Sequence, residues 1–203
     1  FDGLILEVDF GQAILWDHYV VHGEGDLDQL IAQTGWFTYR TQEFKDLLAS
    51  LREHNRTSAK PFHVHGMEMT TLQPGLTWLA DTIEASSRPE DPARGPIEGA
   101  AAWALDLRKK RPAVAFMRHS PAERLDYWNL FVSSEAFLAA QRPELEARLG
   151  ESTVQTVEQM VELIRQYATY VSQDSESLQS EFRDQFSARN VLWFLNQTGE
   201  DRR

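Results

Sequence analysis

The chain opens on an apolar run of strand length, Leu4-Ile5-Leu6-Glu7-Val8-Asp9-Phe10, with two carboxylates in its second half. Leu4 to Leu6 leave no solvated face and Val8 favours extended backbone. The pattern therefore predicts a strand buried on both sides, as in a parallel sheet. Gly11 is expected to end it. Ala13 to Val21 reads as helix, with Leu15, Tyr19 and His22 on one face, broken at Gly23-Glu24-Gly25-Asp26. Asp26 is placed to cap a short helix, Leu27 to Gln33, by accepting backbone N–H groups. Thr34-Gly35 closes that helix, and Trp36-Phe37-Thr38-Tyr39 follows as an aromatic loop. Thr41 caps a stronger helix in which Phe44, Leu47, Leu48 and Leu51 form one apolar stripe. It ends near His54-Asn55-Arg56. Phe62 to Met67 is a second strand. Strand, helices and strand again make a βαβ crossover, so the two strands should be parallel neighbours or near neighbours.

Further on, Pro74-Gly75 precedes a helix from Leu76 to Ser86. Pro89, Pro92 and Pro96 then forbid regular structure and mark a linker over residues 88–96. Beyond it the pattern turns wholly helical: Ile97 to Arg111, Pro121 to Ala140, and a separate segment from Pro143 to Leu149 ended by Gly150. Ser152 caps a long helix whose Val154, Val157, Val161, Ile164, Ala168 and Val171 form a seam suited to a neighbouring helix at a shallow angle. A last helix, about Glu176 to Asn196, carries Phe182, Phe186, Arg189 and Trp193 on one side. The expected fold class is α/β, mostly α by residue count. It joins a partial parallel sheet with flanking helices over 1–87, the linker over 88–96, and an antiparallel helical bundle over 97–198.

Composition narrows the partners. The 203 residues carry a net charge of -11, and the longest basic cluster is Arg108-Lys109-Lys110-Arg111. Nucleic acid is thereby excluded as the main partner, because phosphate binding needs a basic face. No apolar run reaches the length that spans a bilayer, and the composition suits an acidic protein of the cytoplasm. With no cysteine there is no disulfide, thiol nucleophile or cysteine metal site. Oligomeric state is not readable.

Several groups could carry chemistry. Glu7 sits where the first strand leaves the core, at the end that faces ligand in open α/β sheets. Such an acid is either solvated or held for chemistry. His63 and His65 share a strand face as in many metal sites, followed by Glu68, but no third ligand is fixed nearby in sequence, so a small metal site there is the lesser reading beside structural or solvated histidines. His18 and His22, one helical turn apart, read the same way. The aromatic loop suits core or lid packing more than a cofactor cage. Arg183, Ser187 and Asn190 lie on one helix side. That stripe is either a solvated face or internal ion pair, or a polar stripe closing over the strand-end crevice. No Gly-x-Ser-x-Gly and no phosphate loop is present.

Four segments, in order, resemble the erythromycin esterase family, some of whose members are labelled succinoglycan biosynthesis proteins. They are Gly3-Leu4-Ile5-Leu6-Glu7-Val8-Asp9; Trp36-Phe37-Thr38-Tyr39-Arg40-Thr41-Gln42-Glu43 running on to Asn55; Val64-His65-Gly66-Met67-Glu68-Met69; and Phe182-Arg183-Asp184-Gln185-Phe186-Ser187-Ala188-Arg189-Asn190. Glu68 stands where the family usually has aspartate, and Ser187 where it usually has methionine. The family's Gly-Glu-x-x-His-Gly and Ala-His-Asn-x-His motifs, which supply its histidine base and a second histidine, are not in this chain. The chain is accordingly expected to be the middle of a longer enzyme. The resemblance implies hydrolysis of an ester or macrolide lactone by activated water, without metal or cofactor, with macrolide resistance as a possible outcome. Glu7 matches a family active-site glutamate that orients a histidine or the water. Asp184 and Arg183 match positions at or near the cleft, Trp36, Arg40 and Asn190 are expected on the substrate side, and the helical part would form one wall. The contrasting expectation is a non-catalytic acidic binding or immunity-type protein.

Overall fold

In the computed structural model, which describes residues 3–70, 72–86, 95, 98–99, 102–103, 106, 109 and 120–197, strand β1 (Gly3–Asp9) passes into helix α1 (Phe10–His22) without a loop. Asp9 makes this possible. Its side chain accepts from the Gln12 N–H at 3.1 Å and so caps the helix directly at the strand end. The helix therefore starts three residues before Ala13, and Phe10 belongs to it rather than to the strand. Gly11 is likewise no terminator. It lies in the first turn, where a Cβ would stand 2.2 Å from the Gly75 nitrogen, so the glycine lets two backbones approach. At the other end Gly23 is left-handed (φ 76°) and returns its N–H to the last turn. The Arg52 guanidinium donates to Val21 O at 2.7 Å and His22 O at 3.1 Å, satisfying carbonyls that the helix leaves open.

The expected caps of the next two helices are present. Asp26 accepts from Gln29 N–H at the start of α2 (Leu27–Gln33), and Thr41 accepts from Phe44 N–H at the start of α3 (Gln42–Thr57). Between them Phe37–Tyr39 forms a single 3₁₀ turn. Asn55 then clamps the chain into β2 (His63–Glu68): its amide donates to Val20 O and Phe62 O and accepts from Phe62 N–H. The two strands pair in parallel, as the crossover requires, with Gly3 opposite His63, Ile5 opposite His65 and Asp9 opposite Glu68. The register slips between Leu6 and Asp9, a bulge on β1. Gly66 accommodates it, since a Cβ there would meet Val8 O and Asp9 O at 2.6 Å.

Val8, Ala13, Trp16, Val20, Ile31, Phe44, Leu48 and Val64 form the core beside this sheet. Trp16 is its centre, edge-on to Tyr39 at 5.6 Å and to Phe44 at 4.7 Å; full burial of each such side chain contributes roughly 1.5–3 kcal/mol. The fully buried face of α1 holds Ala13, Trp16 and Val20; Tyr19 packs on the same core from a half-buried position, whereas His22 is exposed. Leu47 of the α3 stripe is 40% exposed while Phe44 and Leu48 are buried. Leu4, Ile5 and Leu6 are half-buried, so β1 is sealed only towards Val8 and Asp9.

The described chain forms two compact units. One joins residues up to Gly75 with those from Asp184 onward, and the other runs from Leu76 to Arg183. The second contains most of α4 (Gln73–Ser86), then α5 (Pro121–Leu149) and α6 (Glu151–Val171). α4 begins three residues earlier than Leu76. Ser120 and Glu123 build a reciprocal capping box at the start of α5. That helix continues through Pro143, where a break was expected after Ala140. Proline removes one helical hydrogen bond, but Arg142 pairs with Glu146 at 2.6 Å across the site and with Glu158 of α6 at 2.7 Å. α6 begins at Glu151, so Ser152 is inside it rather than its cap. The six seam residues of α6 are all buried. Arg142–Glu158 and Glu135–Arg165 straddle Gly150 symmetrically, which makes α5 and α6 an antiparallel hairpin.

Helix α7 (Glu176–Gln197) follows. Of the expected linker over 88–96, only Gly95 is among the described residues, and it is helical; the helix expected over 97–111 is described at residues 98, 99, 102, 103, 106 and 109, all helical. No described helix is long and apolar enough to cross a membrane.

Candidate functional site

The pleat of β1 sends alternate side chains to opposite faces until the bulge intervenes. Glu7 is exposed, whereas Val8 and Asp9 are both buried. Asp9 and Glu68, register partners at the carboxyl ends of the two strands, are each 1% exposed. Buried carboxyl groups persist only with hydrogen-bond partners. Asp9 has the Gln12 N–H, and Glu68 accepts at 3.2 Å from the Ser187 hydroxyl. Asn190, one turn further along α7, donates to Met67 O at 2.9 Å. Gln12 is buried beside Asp9, and its side-chain NH₂ has no hydrogen-bond partner among the described residues.

These contacts fix which face of α7 packs. It is Phe186, Ser187, Asn190 and Phe194, a mixed stripe. Of the expected aromatic side, Arg189 is exposed with its guanidinium 5.7 Å from the Phe186 ring, and Trp193 meets Phe10 edge-on at 5.5 Å. Ser187 and Asn190 are thus a dry polar stripe laid on the strand ends and not a solvated face.

The other expected site residues are dispersed. Glu7 lies beside Tyr39, whose hydroxyl donates to Glu7 O at 3.3 Å. Burial and, secondarily, the Glu7 carboxylate raise the Tyr39 hydroxyl above its ordinary pKa. Trp36 is half-buried against the core. Arg40 is exposed, and its Nε and Nη2 donate to Thr34 O at 2.9 and 2.5 Å, closing the loop. Asp184 is exposed, and Arg183, half-buried, falls in the helical unit. Asp9, Gln12 and Tyr39 stand at these strand ends without having been expected there as site candidates. Only Asp9 carried a signal, an acid placed immediately before a helix start.

The histidines form a separate group at the amino end of β2. Asp17 of α1 lies 3.1 Å from His63 Nδ1 and accepts from Val64 N–H at 2.8 Å. The His65 ring is 5.8 Å from that of His63 and 3.8 Å from Phe194. Burial pushes its pKa down to about 4, partly countered by Asp17 and reinforced by His63. Among the described residues Asp17, His63 and His65 each bring a donor atom within 4.8 Å of the others. His18 is instead held 3.1 Å from Glu24, with the His22 ring edge-on to it at 5.7 Å.

Three solved structures share this fold. A Bacillus cereus protein is 21% identical with a TM-score of 0.70, the similarity covering 95% of this chain and 46% of that one. A succinoglycan biosynthesis protein is 13% identical with a TM-score of 0.65, over 95% and 45% of the two chains. An erythromycin esterase, EreC in its open conformation, is 14% identical with a TM-score of 0.54, over 97% and 50%. The chain therefore spans about half the length of these relatives. No curated protein matches. The family model described as erythromycin esterase matches residues 1–203, and the chain belongs to that family.

Proposed function

We propose that the whole protein hydrolyses an ester, with a macrolide lactone as the first candidate and macrolide resistance as its biological outcome, and that β1 and β2 carry the carboxylate side of its active site. The observation that carries this reading is the dry Asp9–Glu68 pair at the carboxyl ends of two parallel strands, with exposed Glu7 on the same strand end. Ligands of open α/β sheets bind at that end.

In this reading a histidine base takes a proton from water as the water oxygen attacks the ester carbonyl carbon. The tetrahedral intermediate then expels the alkoxide, which regains the proton. Glu7 orients the base or the water and balances the imidazolium charge. Asp9, Glu68, Ser187 and Asn190 hold the strand ends in place. Trp36 and Arg40 lie on the substrate side, and Asp184 and Arg183 keep the cleft roles that the family resemblance assigns.

General-base assistance is worth roughly 10²–10⁴ in rate. Glu7→Gln in the full-length protein is expected to lower hydrolysis of erythromycin, or of a responsive ester from a simple panel, by about that factor, with unchanged circular dichroism. Undiminished turnover would remove Glu7 from the mechanism. Failure of the unaltered protein on every ester would remove the reading itself.

A further inference from the structure

We propose that Asp17, His63 and His65 form a binding site for a divalent transition-metal ion of the zinc type, separate from the ester chemistry. Two imidazoles on one strand face and a carboxylate from α1 make an N₂O donor set, which suits zinc and its first-row neighbours rather than magnesium or calcium. Their donor atoms lie within 4.8 Å of one another. Bonds of 2.0–2.1 Å in a tetrahedral site place ligand atoms about 3.4 Å apart, so binding an ion would draw the set together by no more than about 1.4 Å.

Three features of the surroundings point the same way. The Val64 N–H holds Asp17 Oδ1 at 2.8 Å, which orients the carboxylate so that its two oxygens lie 3.2 and 3.1 Å from His63 Nδ1. Supporting bonds of this kind are what fix metal ligands in place. His65 Nε2 is buried and has no hydrogen-bond partner among the described residues, an anomaly for a native imidazole that a bound ion at the ring would explain. Phe194, stacked 3.8 Å from that ring, restricts its orientation. All three side chains are half-buried, unlike a cluster of surface acids.

The position separates this site from the carboxylate pair. His63 and His65 are opposite Gly3 and Ile5, whereas Asp9 and Glu68 pair at the other end of the strands. The ion would pin α1 to β2 and leave one coordination position to water. The sequence alone offers the two histidines but not their third ligand, because Asp17 lies 46 positions before His63.

The test uses the full-length protein stripped with chelator, dialysed against zinc and assayed for bound metal, with cobalt(II) as a spectroscopic substitute. One equivalent of zinc and intense visible cobalt bands of a four-coordinate site are expected. His63→Gln and Asp17→Asn should each weaken binding roughly tenfold or more, on the scale of lost metal-site partners. Asp17→Asn keeps an oxygen for the Val64 N–H, so the fold is retained, and circular dichroism confirms that. His18→Gln, at the other histidine pair, should leave binding unchanged. Absence of stoichiometric uptake, or uptake that survives both ligand substitutions, overturns the proposal. Neither result bears on ester hydrolysis, which the chelated protein should still perform if that separate reading holds.

Discussion

The Ser187 hydroxyl donates to Glu68 at 3.2 Å in a buried setting. They are two of the positions at which the family resemblance leads one to expect other residues, methionine for Ser187 and aspartate for Glu68. A glutamate is one methylene longer than aspartate, and serine is much smaller than methionine and brings a donor. The longer acid and the hydroxyl together form a hydrogen bond that a methionine could not donate.

That coupling is measurable. Glu68→Asp and Ser187→Met should each destabilise the protein by about 1–3 kcal/mol, the first by shortening a buried hydrogen-bonded acid and the second by overpacking. The double variant should recover roughly 0.5–3 kcal/mol relative to their sum. Denaturant melts of the four proteins supply the cycle, and strict additivity would deny the coupling.

Gly66→Ala is expected to be severely destabilising for its size. Its Cβ would meet two backbone oxygens at 2.6 Å, and backbone cannot move aside as a side-chain tip can. A loss of about 1–3 kcal/mol or more is anticipated. Gly11→Ala faces Gly75 backbone in the same way and should behave alike in urea titrations.

Tyr39 reports on Glu7. Because the Glu7 carboxylate is the lesser of two causes raising the phenol pKa, Glu7→Gln should lower it part of the way and leave the contribution of burial. Ultraviolet titration of tyrosinate, with Tyr39→Phe as the blank, detects the change. An unaltered titration would place the carboxylate away from the ring.

Metal-free protein should lose stability as pH falls from about 6.5 towards 4. His65 has a folded pKa near 4 against 6.5 for the free imidazole, so the unfolded state binds the extra proton in that window. Stability from this group is complete above 6.5 and is lost on acidification, by about 3 kcal/mol in all. Urea melts in chelator across this range should show the slope, and His65→Leu should flatten it.

Much of the first half was legible because its rules are local. Asp26 and Thr41 cap helices by bonds to N–H groups three residues on, and a strand returning after helices must be parallel. The α6 seam was readable from spacing alone, all six of its residues being buried. Local rules also misled. Pro143 does not break α5; Arg142 beside it pairs with Glu146 one turn on and with Glu158 of α6.

The amino-acid sequence by itself determined most element types, the parallel pairing, the caps at Asp26 and Thr41, and the family to which the chain belongs. It placed Glu7 on a strand end but could not say what stood beside it. Tertiary structure alone decided that Ala13, Trp16 and Val20 turn inward, that Ser187 reaches Glu68 119 positions away, and that Asp17 joins two histidines. The reason is physical. Apolar burial is non-directional, so a helix such as α1 that is apolar on more than one side does not declare which side is sealed, while a hydrogen bond or a ligand set needs atoms placed to within tenths of an ångström, which only the packed register supplies.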